Sequence, residues 1–364
     1  MDHFYRHYGA NPGRSGYDLC LKAEQMVQET RKLLTEFFHG SNPDHLVFTY
    51  NASDSLNMII NGILKPGDHV ISTRLEHNSV LRPLHHKYSK REIEVKYIPF
   101  DSQGYVDPDD FRKRFKNNTK LVIINHGSNV IGTVQPVEEI GRLCRERGVT
   151  FAIDVAQTAG VVPIDVERMN VDLVAFTGHK ALLGPTGIGG LYVREGIEIE
   201  PSRMGGTGIR CAYPFHLPEF PHRLECGTPN VLGIAGLNAG QKYLSKEGLE
   251  NISQRELALL DRLQKGLVET EGLTLYGSTS LKDRLAVISF NIDGYKAIDV
   301  GTLLANNYNI ATRAGVHCAP KLHKQLHTMP EGGSVRVSIG PFNTEEDIDH
   351  CIEAIREIAT AKKR

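Results

Sequence analysis

The sequence predicts an α/β fold in two parts: a large domain with a mostly parallel, doubly wound sheet, followed by a smaller α+β domain. Over the first two thirds of the chain, short apolar segments alternate with amphipathic ones. The apolar segments are continuous runs, which are typical of strands that are covered by helices on both sheet faces. The chain has 364 residues, 40% of them hydrophobic, which is enough to build more than one core.

The large domain, residues 1–244, is predicted to contain seven short strands. A helix follows the first strand, and another helix ends at Gly148, where a left-handed cap conformation is easily adopted. The stretch from 203 to 231 is rich in Gly and Pro and has little periodicity, so we expect a functional or interface loop there. The strands are HLVFTY, DHVIST, VKYIPF, KLVIINH, TFAIDV, DLVAFT and IGGLYV, and the two helices are SDSLNMIINGIL and VEEIGRLCRERG.

The small domain is expected to span residues 245–364. A long amphipathic segment near residues 253 to 269 is predicted to be a helix, and shorter apolar and amphipathic segments follow it. This mixed pattern predicts an α+β unit. Its segments are SQRELALLDRLQKGLVE, LAVISFNID, KAIDVGTLLANN, SVRVSIG and TEEDIDHCIEAIREIA.

Composition and charge exclude several classes of function. The formal net charge is -1, so no broad electrostatic footprint for nucleic acid or an anionic membrane is expected. No apolar run reaches about 18 residues and the N-terminus lacks an apolar signal core, so neither a membrane helix nor a signal peptide is predicted. The cysteines are scattered without a CxxC pair, which argues against a zinc ribbon and fits a reducing cytoplasm. They are Cys20, Cys144, Cys211, Cys226, Cys318 and Cys351.

Lys180 lies just past the end of a predicted buried strand, in AFTGHKALLGPTG. Ligands of open α/β sheets bind at the carboxyl ends of the strands. A lysine at a strand end is usually a solvated charge, but here Thr177, Gly178 and His179 precede it and a glycine-rich turn follows. A hydroxyl, a small backbone unit and an imidazole beside an amine suit an anionic phosphate and a Schiff base.

Asp154 ends another apolar strand, in TFAIDVAQTAG. A buried carboxylate needs a cation or several hydrogen-bond donors, so Asp154 could form an internal ion pair or cap a helix. It could also keep the ring nitrogen of pyridoxal phosphate protonated, which that cofactor requires in order to act as an electron sink. Gln157 follows three residues later and could donate a hydrogen bond to the phenolic oxygen of the same ring.

Two further segments place polar groups at strand ends. TYNASDSLNMII predicts a helix whose N-terminus offers free N–H groups to a phosphate, although Ser53 and Asp54 are also ordinary N-caps. His77, in RLEHNSVL, is a flat ring that could stack on a cofactor or be an ordinary polar residue. No GxGxxG or GxxxxGK[ST] motif competes for the site. In combination these segments predict a pyridoxal phosphate site with Lys180 as its Schiff-base lysine.

Cys318, in ATRAGVHCAP, could be a packing residue, a metal ligand or a nucleophile. Free cysteines are most often small buried hydrophobic residues. As a nucleophile the thiol would need a lowered pKa or a local base, because the thiolate is the reactive form, and Arg313 and His317 are close enough in sequence to favour it. The metal alternative rests on HCAPKLHKQLH, whose potential ligands are His317, Cys318, His323 and His327.

Five motifs closely resemble those of the class V aminotransferase family, in its branch of cysteine desulfurases and selenocysteine lyases. They are HGSNVIGTV, IDVAQTAG, FTGHKALLGPTGIGG, LECGTPN and RAGVHCAP. The match runs across essentially the whole chain, and the short segment after Cys318 resembles the group II (SufS-like) type, in which the cysteine loop is compact. The resemblance implies the fold type I of pyridoxal-phosphate-dependent transferases and a homodimer with pyridoxal 5'-phosphate on Lys180.

The resemblance also implies a role for each motif residue. His77 would stack on the ring, Asp154 would pair with the ring nitrogen and Gln157 would contact the phenolic oxygen. Lys180, Cys318 and His77 would be the catalytic residues. An arginine at position 336 offers a planar fork that matches a substrate carboxylate, although it could also form a surface ion pair. The implied phosphate contacts are Ala52, Ser53, Thr177 and His179, with Thr228 reaching the phosphate of the neighbouring subunit, and the implied substrate contacts are Asn129, Arg313 and Arg336.

The implied activity is conversion of L-cysteine to L-alanine, with the sulfur held as a persulfide on Cys318 and then passed to an acceptor protein, as in iron–sulfur cluster assembly. The alternatives are a selenocysteine lyase, a cysteine or cystine C–S lyase, a metal-binding protein and a degenerate non-catalytic member of the family. A true aminotransferase would have no use for Cys318. The family usually begins with an LDNAAT-like segment at the mouth of the active site, which this sequence lacks, so we expect either weaker substrate binding or a partly open site.

Overall fold

The computed structural model describes residues 1–13 and 15–361 and contains a seven-stranded sheet in its larger part. The strands are β1 (Leu46–Thr49), β2 (His69–Thr73), β3 (Glu94–Ile98), β4 (Thr119–Asn125), β5 (Thr150–Asp154), β6 (Leu173–Thr177) and β7 (Gly189–Val193). Across the sheet their order is β1-β7-β6-β5-β4-β2-β3. All seven strands predicted from continuous apolar runs are confirmed.

Strands β3, β2, β4, β5 and β6 are mutually parallel, and β7 is antiparallel to both of its neighbours, β6 and β1, so β1 runs in the same direction as the parallel strands. The parallel strands therefore end at one edge of the sheet. Asn125 at the end of β4 lies opposite Asp154 at the end of β5, and Asp154 lies opposite Ala175 of β6. The predicted mostly parallel α/β sheet is confirmed, and it brings the strand-end side chains together.

Helices cover both faces of this sheet. Along β4, Val122 and Ile124 pack in one hydrophobic core, and Leu121 and Ile123 pack in another. Because successive side chains point to opposite faces of a strand, both faces are buried, which explains the continuous apolar runs. No helix among the described residues is both long enough and apolar enough to span a bilayer. The helices up to residue 247 are α1 (Asp2–Tyr8), α2 (Asp18–Phe37), α3 (Ala52–Ile63), α4 (Asn78–Ser89), α5 (Pro108–Arg112), α6 (Val137–Arg147) and α7 (Val231–Glu247).

A second, antiparallel sheet is built entirely from residues that follow Gly248 and has its own core. Its strands are β8 (Leu273–Tyr276), β9 (Val287–Ile292), β10 (Arg313–Gly315) and β11 (Ser334–Ser338), in the order β10-β11-β9-β8. The accompanying helices are α8 (Leu249–Leu267), α9 (Ala297–Tyr308), α10 (Pro320–Gln325) and α11 (Glu345–Ala361). The α+β pattern of this part is confirmed, while the domain boundary near residue 245 stays a prediction.

Residues 194–230, all of which the structure describes, contain no helix or strand. The end of this long loop is held against β1 by the Glu225 carboxylate. Its two oxygens accept hydrogen bonds from Arg31 at 2.8 and 3.1 Å, and one of them also accepts from the Phe48 amide at 2.6 Å. Arg31 is only 2% exposed, and removing one partner of such a buried pair costs about 3–5 kcal/mol. The loop is therefore irregular in conformation but firmly attached at this point.

Candidate active site

A cavity of about 390 Å³ opens at the carboxyl ends of β4, β5 and β6. Ten of the residues predicted for the site line it, and the first and last of them, Ala52 and Arg313, are 261 positions apart in sequence. Most of them meet because the strand ends converge. The ten are Ala52, Ser53, His77, Asn129, Asp154, Gln157, Thr177, His179, Lys180 and Arg313. Cys318 and Arg336 contact residues of this set, whereas Thr228 lies elsewhere.

One end of the cavity is suited to an anion. Helix α3 begins there, and the Asn51 side chain caps it by accepting a hydrogen bond from the Asp54 amide at 3.1 Å. The amides of Ala52 and Ser53 have no hydrogen-bond partner among the described residues. Unpaired amides at a helix N-terminus, reinforced by the helix dipole, form a favourable site for a phosphate.

The segment after β6 completes this end of the cavity and carries the lysine. Thr177 Oγ1 lies 2.9 Å from His179 Nδ1, so a hydroxyl and an imidazole are fixed beside the helix N-terminus. Removal from bulk water inside the cleft lowers the pKa of Lys180, and the charge of Asp154 opposes that change. A lowered pKa increases the fraction of the lysine that is a neutral, nucleophilic amine.

Asp154 is 7% exposed and lies at the end of β5. Burial raises its pKa, while the Ala156 amide, 2.9 Å from Oδ1, and the charge of Lys180 favour the ionised form. No ion pair with a described residue satisfies this carboxylate. A buried acid that lines a cavity and lacks a cation is suited to a protonated nitrogen on a ligand.

His77 is the N-cap of α4, a role that sequence reasoning did not assign to it. Its Nδ1 accepts a hydrogen bond from the Ser79 amide at 3.1 Å and lies 2.8 Å from Ser79 Oγ. Burial, followed by the charges of Lys180, Arg313 and Arg82, lowers the pKa of His77 to about 4. The ring is therefore neutral at physiological pH and held in a fixed orientation at the cavity wall.

Arg336 and Asn129 lie together on the side of the cavity that faces the small sheet. Arg336 Nη1 donates to the Asn129 carbonyl oxygen at 2.8 Å, and burial lowers the pKa of the guanidinium. The Asn129 side-chain oxygen and Arg336 Nε are both buried without a partner. Arg313 lies directly opposite Arg336 in the β10–β11 pair. Two neighbouring guanidinium groups with unused donors suit a carboxylate ligand.

Cys318 lies in a short turn after β10 in which two consecutive non-glycine residues are left-handed, His317 at φ 49° and Cys318 at φ 59°. Such a conformation costs about 1–2 kcal/mol per residue, so the surroundings must hold it. The Cys318 carbonyl oxygen accepts from the Asn78 amide at 2.7 Å, and the His317 carbonyl oxygen accepts from Asn129 Nδ2 at 2.8 Å. Cys318 Sγ lies 3.6 Å from Arg313 Nη2, where the guanidinium can pair with a thiolate.

The expectation that His317 assists the thiol is wrong. Its Nε2 lies 2.9 Å from the Ser334 carbonyl oxygen, its Nδ1 has no partner, and burial lowers its pKa to about 3. Neither nitrogen contacts Cys318, so His317 supports the turn rather than acting as a base.

The described residues do not include a group of three or more His, Cys, Asp or Glu side chains that could hold a metal ion. The alternative of a metal site at His317, Cys318, His323 and His327 is therefore unsupported.

Thr228 is exposed and lies outside the cavity that contains Lys180. It lines a separate pocket of about 360 Å³, formed by the end of the loop that Glu225 anchors together with residues of α2 and β1. Within one chain, Thr228 therefore does not meet the residues predicted to hold a phosphate. This position is compatible with a role in a neighbouring subunit, which stays a prediction.

Sequence reasoning missed residues that matter to the geometry. Ser79 Oγ lies 2.5 Å from Ser53 Oγ and so links the His77 turn to the start of α3. Its signal was present, since a Ser two positions after a helix-capping residue is well placed for such a contact. Asn125 lines the cavity from the end of β4, as a polar residue that ends an apolar run.

Comparisons with known proteins agree with this geometry. The model of the aminotransferase class-V family matches residues 1–351. A probable cysteine desulfurase of Pyrococcus abyssi is 36% identical over 98% of this chain and 89% of its own length, and a cysteine desulfurase of Escherichia coli is 34% identical over 98% and 88%.

Solved structures give the same result for the fold. The apo structure of a cysteine desulfurase from Thermococcus onnurineus has a TM-score of 0.92 and 35% identity, with 99% of this chain and 90% of that chain covered. The S-sulfonic acid form of an Escherichia coli cysteine desulfurase has a TM-score of 0.89 and 27% identity over the same shares. The predicted resemblance and the fold type I architecture are thereby confirmed, and this chain belongs to the class V aminotransferase family.

Proposed function

We propose that this protein is a cysteine desulfurase that uses pyridoxal 5'-phosphate bound to Lys180 and a persulfide on Cys318. The observation that carries the proposal is the shared position of Arg313, which lines the cavity of Lys180 and whose Nη2 lies 3.6 Å from Cys318 Sγ. One arginine thus links the cavity of the lysine amine to the cysteine thiol. An aminotransferase would need the lysine but not the thiol. The relatives named above, which are described as cysteine desulfurases, support the same conclusion.

The residues present fit pyridoxal 5'-phosphate. The unpaired amides of Ala52 and Ser53 and the Thr177 hydroxyl suit its phosphate, the unpaired carboxylate of Asp154 suits its ring nitrogen, and the Lys180 amine suits its aldehyde. When bound, this cofactor supplies an electron sink for a carbanion at the substrate Cα. His77 and Gln157 would contact the ring from the cavity wall.

The residues of the chain then have separate tasks in the reaction. Arg336 and Arg313, with Asn129, would bind the substrate carboxylate and so fix the orientation of L-cysteine. Lys180 would remove the proton from Cα and later return a proton to the product, a role that its lowered pKa favours. Arg313 would stabilise the Cys318 thiolate.

Sulfur transfer would take place at Cys318. Its thiolate attacks the sulfur of the substrate, an S–S bond forms, and the C–S bond of the substrate breaks with its electron pair passing to the carbon side. The enzyme is left with a persulfide on Cys318, and protonation of the carbon side yields L-alanine. A sulfur-acceptor protein, which the family resemblance implies, would then take the terminal sulfur.

We also propose a homodimer in which Thr228 of each chain reaches the phosphate end of the other chain's cavity. Support comes from the exposure of Thr228 and from its pocket, which the Glu225 anchor keeps in shape. All six cysteines are free thiols, which is compatible with a role in a reducing compartment such as the cytoplasm.

Replacement of Lys180 with alanine tests the cofactor assignment. The variant should lose the absorbance band near 420 nm that is expected for a lysine-bound cofactor, and it should form no alanine from L-cysteine. Lys246→Ala, an exposed lysine on α7, is the matched control and should retain both signals. Turnover that survives in Lys180→Ala would refute the proposal, and pyruvate instead of alanine in the wild-type protein would indicate a C–S lyase.

A further inference from the structure

Cys318 borders a space other than the Lys180 cavity, a groove of about 600 Å³ between α3 and α4. Its lining includes Asn57 and Asn61 from α3, and Asn78, Arg82 and His86 from α4. Cys318 lines this groove but is not part of the lining of the Lys180 cavity. The thiol therefore borders the groove, and its contact with Arg313 connects it to the Lys180 cavity.

The wall between the two openings is made by residues that line both. These are Ser53, His77 and Ser79, which are joined by the 2.5 Å contact between the two serine hydroxyls and by the hydrogen bonds of Ser79 to His77 Nδ1. A molecule in the groove can thus approach Cys318 without entering the cavity of Lys180. This arrangement separates the side on which the thiol would receive sulfur from the side on which it would release it.

The groove has a positive and hydrogen-bonding lining. No Asp or Glu is among its lining residues. Arg82 is exposed and makes no hydrogen bond or ion pair with a described residue, although its charge contributes to the lowered pKa of His77. The Asn61 side chain is likewise without a partner among the described residues, and Asn57 uses only its Nδ2, at 2.9 Å from the Ser53 carbonyl oxygen. An unpaired guanidinium beside free amides suits a carboxylate.

We propose that this groove binds a small thiol that carries a carboxylate, and that Arg82 selects it as a sulfur acceptor for Cys318. The volume of the groove lies within the range of small-molecule sites, which favours a small thiol over a folded partner. The inference rests on the proposed function, since it requires the persulfide.

The transfer step requires no further reagent. The acceptor thiol loses its proton to solvent, and its thiolate attacks the terminal sulfur of the Cys318 persulfide. A new S–S bond forms on the acceptor, the S–S bond on the enzyme breaks, and its electron pair leaves Cys318 as a thiolate beside Arg313. The acceptor departs as a persulfide, and Cys318 is ready for another substrate molecule.

Alkylation of Cys318 tests the groove without reference to activity. Iodoacetate and iodoacetamide have nearly the same shape but differ by one carboxylate, and peptide mass spectrometry reports the rate at Cys318 alone. In Arg82→Gln, the rate of Cys318 alkylation by iodoacetate should fall about fivefold, as expected for the loss of one charge pair near a protein surface, while the rate with iodoacetamide should not change. In about 1 M salt, the difference between variant and wild type should vanish, because salt screens the charge of Arg82. The control is Lys90→Gln, an exposed residue that ends the same helix outside the groove. Equal rates of iodoacetate alkylation in Arg82→Gln and wild type would overturn the assignment of Arg82.

A second measurement uses turnover of L-cysteine with mercaptopropionate or mercaptoethanol as acceptor. Arg82→Gln should need about fivefold more mercaptopropionate for half-maximal alanine formation, with no change for mercaptoethanol. If the variant and the wild type need the same concentration of each thiol for half-maximal alanine formation, the groove assignment fails and the desulfurase proposal stands. If the wild type forms no alanine with either thiol, the proposed function fails, and the acceptor role of the groove fails with it.

Discussion

Glu76 is a fully buried acid directly before His77, and it has no ion-pair partner among the described residues. Its Oε1 accepts from Thr73 Oγ1 at 2.6 Å and from the Asn125 amide at 3.1 Å, while its Oε2 has no partner. Burial raises the pKa of Glu76 to about 8, and the nearby charge of Asp154 adds to that effect. Glu76 is therefore protonated at neutral pH and leaves Asp154 as the ionisable acid that faces the cavity.

The free energy of unfolding of Glu76→Gln should fall less steeply with rising pH than that of the wild type. In the unfolded chain this carboxyl has its ordinary pKa of 4.5, whereas the folded protein keeps it protonated up to about pH 8. The unfolded state thus binds fewer protons between these values, and the free energy of unfolding falls by up to about 1.4 kcal/mol per pH unit. Urea unfolding of the cofactor-free wild type and variant at about pH 5 to 8 measures how steeply the free energy of unfolding changes with pH in each protein. Identical slopes would mean that Glu76 is ionised in the folded protein.

At this scale the sequence predicted chemistry better than conformation. Asp154, Thr177 and Lys180 could be identified because a polar residue after a buried strand must lie at the edge where ligands bind. The left-handed conformation of His317 and Cys318 could not, because Asn78 and Asn129, which hold it, are distant in sequence. For the same reason, nothing in the sequence indicated that His317 would turn toward Ser334.

At the scale of elements, the β10–β11 pair positions the cysteine turn. Gly333 adopts φ 105° just before β11, and a Cβ at this position would collide with the backbone of Gly315 at the end of β10. Gly332 is also left-handed, with φ 78°, but a Cβ there would meet no atom within 4 Å. Alanine substitutions at these two glycines therefore distinguish the cost of the left-handed backbone conformation from the cost of a collision between Cβ and the backbone of Gly315.

Gly333→Ala should destabilise the protein more than Gly332→Ala does, and it should also alter the turn that presents Cys318. We expect a cost of about 1 kcal/mol for Gly332→Ala from the left-handed conformation alone, and about 1–3 kcal/mol more for Gly333→Ala from overpacking. Urea unfolding measures both values, and iodoacetamide alkylation of Cys318 shows whether the turn has moved. Equal stabilities of the two variants would contradict the packing between β10 and β11 described above.

The elements themselves were predictable where burial imposes a simple pattern. Six of the seven strands of the large sheet appeared as apolar runs because both of their faces are covered, whereas the edge strand β3 is partly exposed. Helix α6 ended at Gly148 as its sequence indicates. The three-residue strand β10 was not predicted, because so short a segment carries no period of its own and depends on pairing with β11.

At the scale of the whole molecule, Thr228 lies outside the Lys180 cavity of its own chain, so a single chain gives it no contact with the predicted phosphate site. We expect a homodimer whose affinity for pyridoxal phosphate falls on dilution and falls further in Thr228→Ala, because each phosphate would draw donors from both chains. Light scattering together with the absorbance near 420 nm measures both quantities, and Thr302→Ala on α9 is the control. A monomer that retains stoichiometric cofactor would contradict the shared site.

The most direct test of the account is the mass of the intact protein after exposure to L-cysteine. We predict that the wild-type protein gains one sulfur atom, that a thiol reductant removes it, and that peptide mapping places it on Cys318. Cys211→Ala, which removes an exposed cysteine outside the active site, should gain the same sulfur. Cys318→Ala should keep its absorbance near 420 nm and gain none, because it retains Lys180 but lacks the accepting thiol. A sulfur that still appears in Cys318→Ala, or full conversion of L-cysteine to alanine by that variant, would contradict the persulfide mechanism.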